Sequence, residues 1–259
     1  MLLPFTKAQG TGNNFIILYL PECPDIDLNK TIIQKLCHNN FGVGADGLIL
    51  VRNHADYDFQ MIYFNADGHE GSMCGNGGRA CVRFAHDLGI ISEATKFIAV
   101  DGEHEASVTS EQISLKMSAV NTVESGEGFQ FMDTGSPHYV TFVNNNLRVF
   151  NVVEEGRNIR NNKRFKTEGT NVNFVEKKEA NALFVRTYER GVEDETLSCG
   201  TGVTACALSA SYQGFDSPIN IEVLGGHLQI AFEKVGDNQF DNIYLIGPAQ
   251  KVFEGTINC

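Results

Sequence analysis

Unbroken apolar runs alternate along this chain with polar, glycine-rich stretches, and they come in two matching series. In the first half, Phe15–Leu20 and Leu48–Val51 are continuous apolar segments that predict buried strands, and residues 56–64 (DYDFQMIYF) alternate as a half-buried strand does. Between them, Leu28, Ile32, Ile33 and Leu36 fall on one face of a helix predicted over residues 27–38. A glycine-rich loop, ADGHEGSMCGNGG, leads into a helix predicted from Gly75 to Leu88, with Gly89 as its stop. The second half repeats this order. HYVTFV, a short helix within residues 152–162, NVNFV, ALFVRTY, a loop and a helix from Gly200 onward follow one another. Strand pairs close each half, KFIAVDG with ISLKMS and INIEVL with HLQIAF.

The repetition is also literal. MCGNGGRACVRFA (residues 73–85) and SCGTGVTACALSA (residues 198–210) share C-G-x-G-x-x-A-C-x-x-x-A, with Cys74 and Cys199 lying 125 positions apart. The same offset, without a gap, sets Phe59 on Phe184, Tyr63 on Tyr188, Glu70 on Glu195, Gly44 on Gly169 and Gly10 on Gly135. Such a duplication predicts two similar α/β domains. One spans residues 1–118 and carries Cys74; the other spans 119–247 and carries Cys199; a last strand at about 248–259 returns to the first domain. The halves join without a low-complexity linker, near residues 117–128. Like two protomers of a dimer, two such units are expected to be related by an approximate two-fold axis, which makes Cys74 and Cys199 equivalent and opposed.

Bulk properties narrow the function. Of 259 residues 42% are hydrophobic and 20% charged, as in ordinary globular proteins, and the formal net charge of -12 disfavours nucleic acid and anionic membranes as partners. Pro4 and Lys7 interrupt the short apolar start, and no apolar run approaches the roughly 20 residues of a membrane helix. Seven scattered cysteines read as reduced thiols, and the expected compartment is the cytoplasm.

Cys74 and Cys199 each stand where a glycine-rich loop meets a helix N-terminus. Unpaired N–H groups and partial positive charge there favour a thiolate and can hold a carboxylate. Two such ends facing one another would put a sulfur on each side of the α-carbon of a bound amino acid. One thiolate removes the α-proton, the other thiol delivers a proton to the opposite face, and the N–H groups stabilise the enediolate-like charge. Cys81 and Cys206 lie seven residues further along each helix and read as small buried hydrophobes, while Cys23, Cys37 and Cys259 have no matching context. The C-x6-C spacing is unlike that of zinc sites, and neither loop carries a nucleotide-binding pattern.

GTGNNF near the start, YFNADG followed by MCGNGGR, YERG-x7-CGTG and the duplicated layout resemble the diaminopimelate epimerase family over nearly the whole chain. The resemblance implies a fold of two similar domains, each a mixed β-sheet wrapped around a central helix, with the active site between them. It implies interconversion of LL- and meso-diaminopimelate for lysine and cell-wall precursor synthesis, without pyridoxal phosphate or metal, by a homodimer. Carried over by motif, Cys74 and Cys199 are the acid/base pair, and the Gly75–Asn76 and Gly200–Thr201 backbones hold the reacting carboxylate. Asn13, Asn65, Asn171 and Arg190 hold the distal end, Glu189 binds the reacting amino group or orients the site, and His138 lies close to the chemistry. Gly47 and Ser136 stand where the family often has Gln and Asn, so two polar contacts are absent or carried by water, and the segment 191–196 is one residue longer than in some members. Rival readings fit less well. Proline and hydroxyproline racemases usually carry a histidine where this chain has Asn76 and need no distal arginine. Phenazine-type isomerases lack the cysteine pair, and a non-enzymatic binding protein would leave both cysteines unused.

Overall fold

A computed structural model describes residues 2–23, 28–144, 146–179 and 181–258. Two compact units emerge: Met1–Leu115 together with Gly247–Cys259, and Lys116–Ile246.

The first unit contains β1 (Leu2–Gly10), β2 (Asn13–Tyr19), α1 (Lys30–Cys37), β3 (Gly47–Arg52), β4 (Phe59–Asn65), α2 (Gly75–Asp87), β5 (Ala94–Ala99), β6 (Gly102–Val108) and β7 (Ile113–Lys116), completed by the last strand of the chain, β17 (Gln250–Asn258). The sheet runs β17-β1-β2-β3-β4-β5-β6-β7, with β2–β3 and β4–β5 parallel and the other neighbours antiparallel. β3 is buried at five consecutive positions, which explains its unbroken apolar run. The sheet wraps α2, which touches β1, β2, β3, β4, β6 and β17. A helix packed on that many strands needs slim side chains, and Gly77, Gly78, Ala80, Cys81 and Ala85 supply them. Its end is encoded locally. Gly89, at φ 70°, donates to His86 O, and Ile90 N–H reaches back to Ala85 O, which closes the last turn.

The second unit holds β8 (Glu124–Gly126), β9 (Phe129–Asp133), β10 (Pro137–Phe142), α3 (Val152–Arg160), β11 (Asn171–Lys178), β12 (Ala182–Glu189), β13 (Asp194–Thr196), α4 (Gly200–Ser211), β14 (Ile219–Val223), β15 (Gly226–Gly236) and β16 (Gln239–Gly247). Its pairing repeats that of the first: β10–β11 and β12–β14 are parallel, and β8–β9, β9–β10, β11–β12, β14–β15 and β15–β16 antiparallel. Here α4 is the central helix, touching β9, β10, β11, β12, β14 and β15, and it is buried from Gly202 to Ala210. The expected α/β fold, a mixed sheet around one helix in each half, is what the structure has.

Some local expectations change. KFIAVDG pairs with β6 rather than with ISLKMS, because a further strand stands between them. β6 (GEHEASV) was illegible since two of its three inward positions, His104 and Ala106, are polar or small, which leaves Val108 as its one strongly apolar residue. α1 begins at Lys30, capped by the Asn29 side chain, which accepts from Ile32 N. The expected start at Asp27 lies outside the described residues, as does Cys259. The loop before Cys199 contains the short strand β13, paired with β12.

Candidate active site

Cys74 is the N-cap residue of α2 and Cys199 that of α4. Each has extended backbone angles, and neither side chain makes a capping hydrogen bond. Neither sulfur is thus engaged as a cap of a first-turn N–H, and those N–H groups have no intrahelical acceptor.

In the first unit Cys74 Sγ lies 3.6 Å from Asn13 Oδ1, and Asn76 Nδ2 reaches the same oxygen at 3.4 Å. Asn13 is oriented by Asp46, whose Oδ2 accepts from Asn13 Nδ2 at 2.9 Å and from the Asn14 backbone and side chain. Because a carboxylate only accepts, the Asn13 carbonyl must face Cys74. Behind them Arg79 is fully buried and donates to Asn76 Oδ1, Thr11 Oγ1 and Gly75 O. Burial lowers the pKa of this guanidinium to about 10, partly offset by the neighbouring Cys74. Asn65 ends β4 on the surface, and the Gly71 backbone packs against its side chain.

In the second unit Cys199 Sγ is 3.5 Å from Thr201 Oγ1, and His138 Nε2 is 2.8 Å from the same hydroxyl. His138 Nδ1 meets Asn173 Nδ2 at 3.1 Å. Burial drives the His138 imidazole pKa down to about 3, with the Arg190 charge acting in the same sense. Thr134 Oγ1 holds the Thr201 carbonyl at 2.8 Å, and Gly200 and Thr201 form the first turn of α4. A second cluster surrounds Asn171, whose amide donates to Ser136 Oγ and Pro137 O and accepts from Arg190 N. Arg190 is exposed, with Nη1 on Glu168 O, and Glu189 accepts from Thr196 Oγ1.

Asn13, Cys74 and Asn76 thus gather in one unit, and His138, Cys199 and Thr201 in the other, with Asn171 and Arg190 joined beside them. Asp46, Arg79 and Asn173 were missed. Only Asn173 left a signal, since it shares a strand face with Asn171. At the two departures, a Cβ on Gly47 would come within 2.5 Å of the Tyr63 ring, and the Ser136 hydroxyl is held by Asn171. Cys81 and Cys206 are fully buried, which raises their thiol pKa values far above the ordinary range, and burial also pushes Cys37 to about 11. Among the described residues no group of three or more His, Cys, Asp or Glu side chains is placed to hold a metal ion.

The His138 environment predicts a pH effect on stability. An unfolded histidine takes up its proton near pH 6.5, whereas the folded one resists until about 3. Between these values the unfolded state binds the extra proton, so stability falls as pH falls, by up to about 1.4 kcal/mol per pH unit. The stability gap between wild type and His138→Gln should therefore narrow from pH 7 to pH 4 in urea unfolding. Parallel curves would contradict a buried neutral imidazole.

Solved structures share this architecture. A phenazine biosynthesis protein of the PhzF family from Bacillus anthracis aligns over all of both chains, with a TM-score of 0.78 at 14% identity. A probable proline racemase from Agrobacterium radiobacter aligns over 99% of this chain and 93% of its own, with a TM-score of 0.73 at 12% identity. The fold is thus that of the PhzF and proline racemase proteins, here with a cysteine capping the central helix of each half. The family description that matches the sequence is that of diaminopimelate epimerase, over residues 5–123 and again over 130–252. A diaminopimelate epimerase of Flavobacterium psychrophilum is 47% identical over 256 residues, covering 97% of this chain and 98% of the relative. Another, from Chlorobaculum tepidum, is 42% identical, covering 96% and 99%. The chain belongs to the diaminopimelate epimerase family and is an isomerase.

Proposed function

We propose that this protein interconverts LL- and meso-diaminopimelate by a cofactor-independent two-base reaction in which Cys74 and Cys199 act on one α-carbon. The observation that carries the reading is the repeated placement of a cysteine as N-cap of a buried central helix, with a side chain that does not cap it. The sulfur acting as thiolate takes the α-proton, and the other supplies one to the opposite face. N–H groups at Gly75–Asn76 and Gly200–Thr201 stabilise the charge that develops on the carboxylate. Asn13, Asn65, Asn171 and Arg190 bind the distal end, Glu189 takes the reacting amino group, and His138 supports Cys199 through Thr201.

The setting is lysine and peptidoglycan precursor synthesis in the cytoplasm. No helix among the described residues is long and apolar enough to cross a membrane. The functional form is a homodimer, for which exposed Leu88, Val252 and Phe253 offer apolar surface. Incubation with LL-diaminopimelate in deuterated water tests the reaction. Meso product with deuterium at the inverted carbon is expected; turnover that requires added pyridoxal phosphate, or product without deuterium, would refute the mechanism.

A further inference from the structure

We propose that Asn173 is a positioning residue for Cys199, fixing the tautomer of His138 so that the Thr201 hydroxyl points its hydrogen at the sulfur.

The directions of these bonds are set from one acceptor that allows no choice, the Tyr139 carbonyl. Asn173 Nδ2 lies 3.0 Å from the Tyr139 carbonyl, which only accepts, and Asn173 Oδ1 takes the Thr187 hydroxyl at 3.0 Å. The amide is thereby oriented with its NH₂ toward His138, so Nδ1 accepts and the neutral ring carries its proton on Nε2. Nε2–H then donates to Thr201 Oγ1 at 2.8 Å, and the hydroxyl hydrogen is left to the sulfur at 3.5 Å. A donor there favours the thiolate over the thiol. The relay is enclosed: Asn173, His138 and Thr187 are buried, and a Cβ at Gly202 would stand 2.5 Å from Asn173 Oδ1. Gly202 therefore lets the first turn of α4 close onto the amide.

Other charges near this relay are already engaged. Asp133 on β9 accepts from Gly135 N, Glu189 on β12 accepts from Thr196, and Cys206 on α4 is a buried neutral thiol. Burial keeps His138 unprotonated, and the positive charge of Arg190, after β12, acts in the same sense. The first half carries other residues at these places. The 125-residue offset puts Asn13 at the place of His138, Asn76 at that of Thr201 and Leu48 at that of Asn173. Cys74 consequently faces a carbonyl oxygen, where Cys199 faces a hydroxyl.

The inference rests on the reading of Cys199 as one of the reacting pair, so its test reads the sulfur without turnover. The rate of iodoacetamide alkylation at each cysteine is followed against pH by mass spectrometry. Asn173→Leu should move the Cys199 profile upward by about one pH unit, leave the Cys74 profile in place and lower kcat about tenfold with little change in KM. Thr201→Val should reproduce the shift, and the double variant should add nothing to it, because both act through one chain of bonds. An unmoved Cys199 profile in folded Asn173→Leu, or additive shifts, would overturn the relay. Nitrogen-15 NMR of the unmutated protein gives a reading independent of any variant. The Nε2–H tautomer of His138 at pH 7 is expected, and the Nδ1–H tautomer or the imidazolium would overturn the proposal. A shifted profile in a protein whose Cys199→Ala variant still epimerises would support the relay and refute the two-base reading instead.

Discussion

Replacing either Cys74 or Cys199 by alanine should lower epimerisation by about 10³-fold, within the 10²–10⁴ range of general acid–base catalysis, while leaving the fold intact. Structural reasons separate the two effects. Each cysteine caps its helix through backbone conformation alone, so alanine takes no capping bond away. With one sulfur left, the remaining base can take a proton from one stereoisomer and return it only to the same face. Deuterium incorporation into that isomer without inversion is the signature to seek. Circular dichroism and urea unfolding check the fold. Cys81→Ala is the control: its side chain is fully buried in α2, so the change costs stability, about 1–2 kcal/mol, and spares the chemistry. Near-normal inversion by either Cys74→Ala or Cys199→Ala would end the two-base account.

Arg190→Met should lower kcat/KM for diaminopimelate about 100-fold, chiefly through KM, since a hydrogen bond between charged groups is worth about 1.5–3 kcal/mol. The side chain is held ready for this. Its backbone N–H is fixed by Asn171 and its Nη1 by the Glu168 carbonyl. Its stem also crosses Gly169 so closely that a Cβ there would meet Arg190 Cδ at 2.7 Å. A guanidinium has five donors, so the one spent on Glu168 leaves a fork for a carboxylate. Arg190→Lys should recover part of the charge but not the fork, and raise KM about tenfold. Steady-state kinetics with diaminopimelate decides it, and an unchanged KM in both variants would show that another group reads the distal end.

The duplication, the two cysteine boxes and the central helices were legible because each is a local pattern. Small residues at every turn of residues 75–85 announce a buried helix, and Gly89 announces its end. What escaped depends on partners distant in the chain. Arg79 looks like a surface cation in sequence, yet it is fully buried and bonds Thr11, 68 residues away. Asp46 orients Asn13 across 33 residues, and Asn173 reaches His138 across 35. Lys7 is likewise buried, donating to Asn14 and the Gly44 carbonyl. Periodicity records which face is apolar; it does not record which buried polar group finds a mate, because that is settled only when strands far apart in sequence become neighbours. β6 was missed for a related reason: its inward face carries a histidine and an alanine, and its burial comes from the strands on either side.

The pairing of β17 with β1 also governs how the chain is completed during synthesis. The second unit is one continuous stretch, Lys116–Ile246, and all its strands have been made before Gln250 is added. The first unit, although it starts the chain, must wait for its last strand. At about 5–20 residues per second, roughly 10–50 s separate the translation of β1 from that of β17. Throughout that interval one edge of β1 has no partner, and α2 lacks one of the strands that cover it. The half that is translated first is thus the half that closes last.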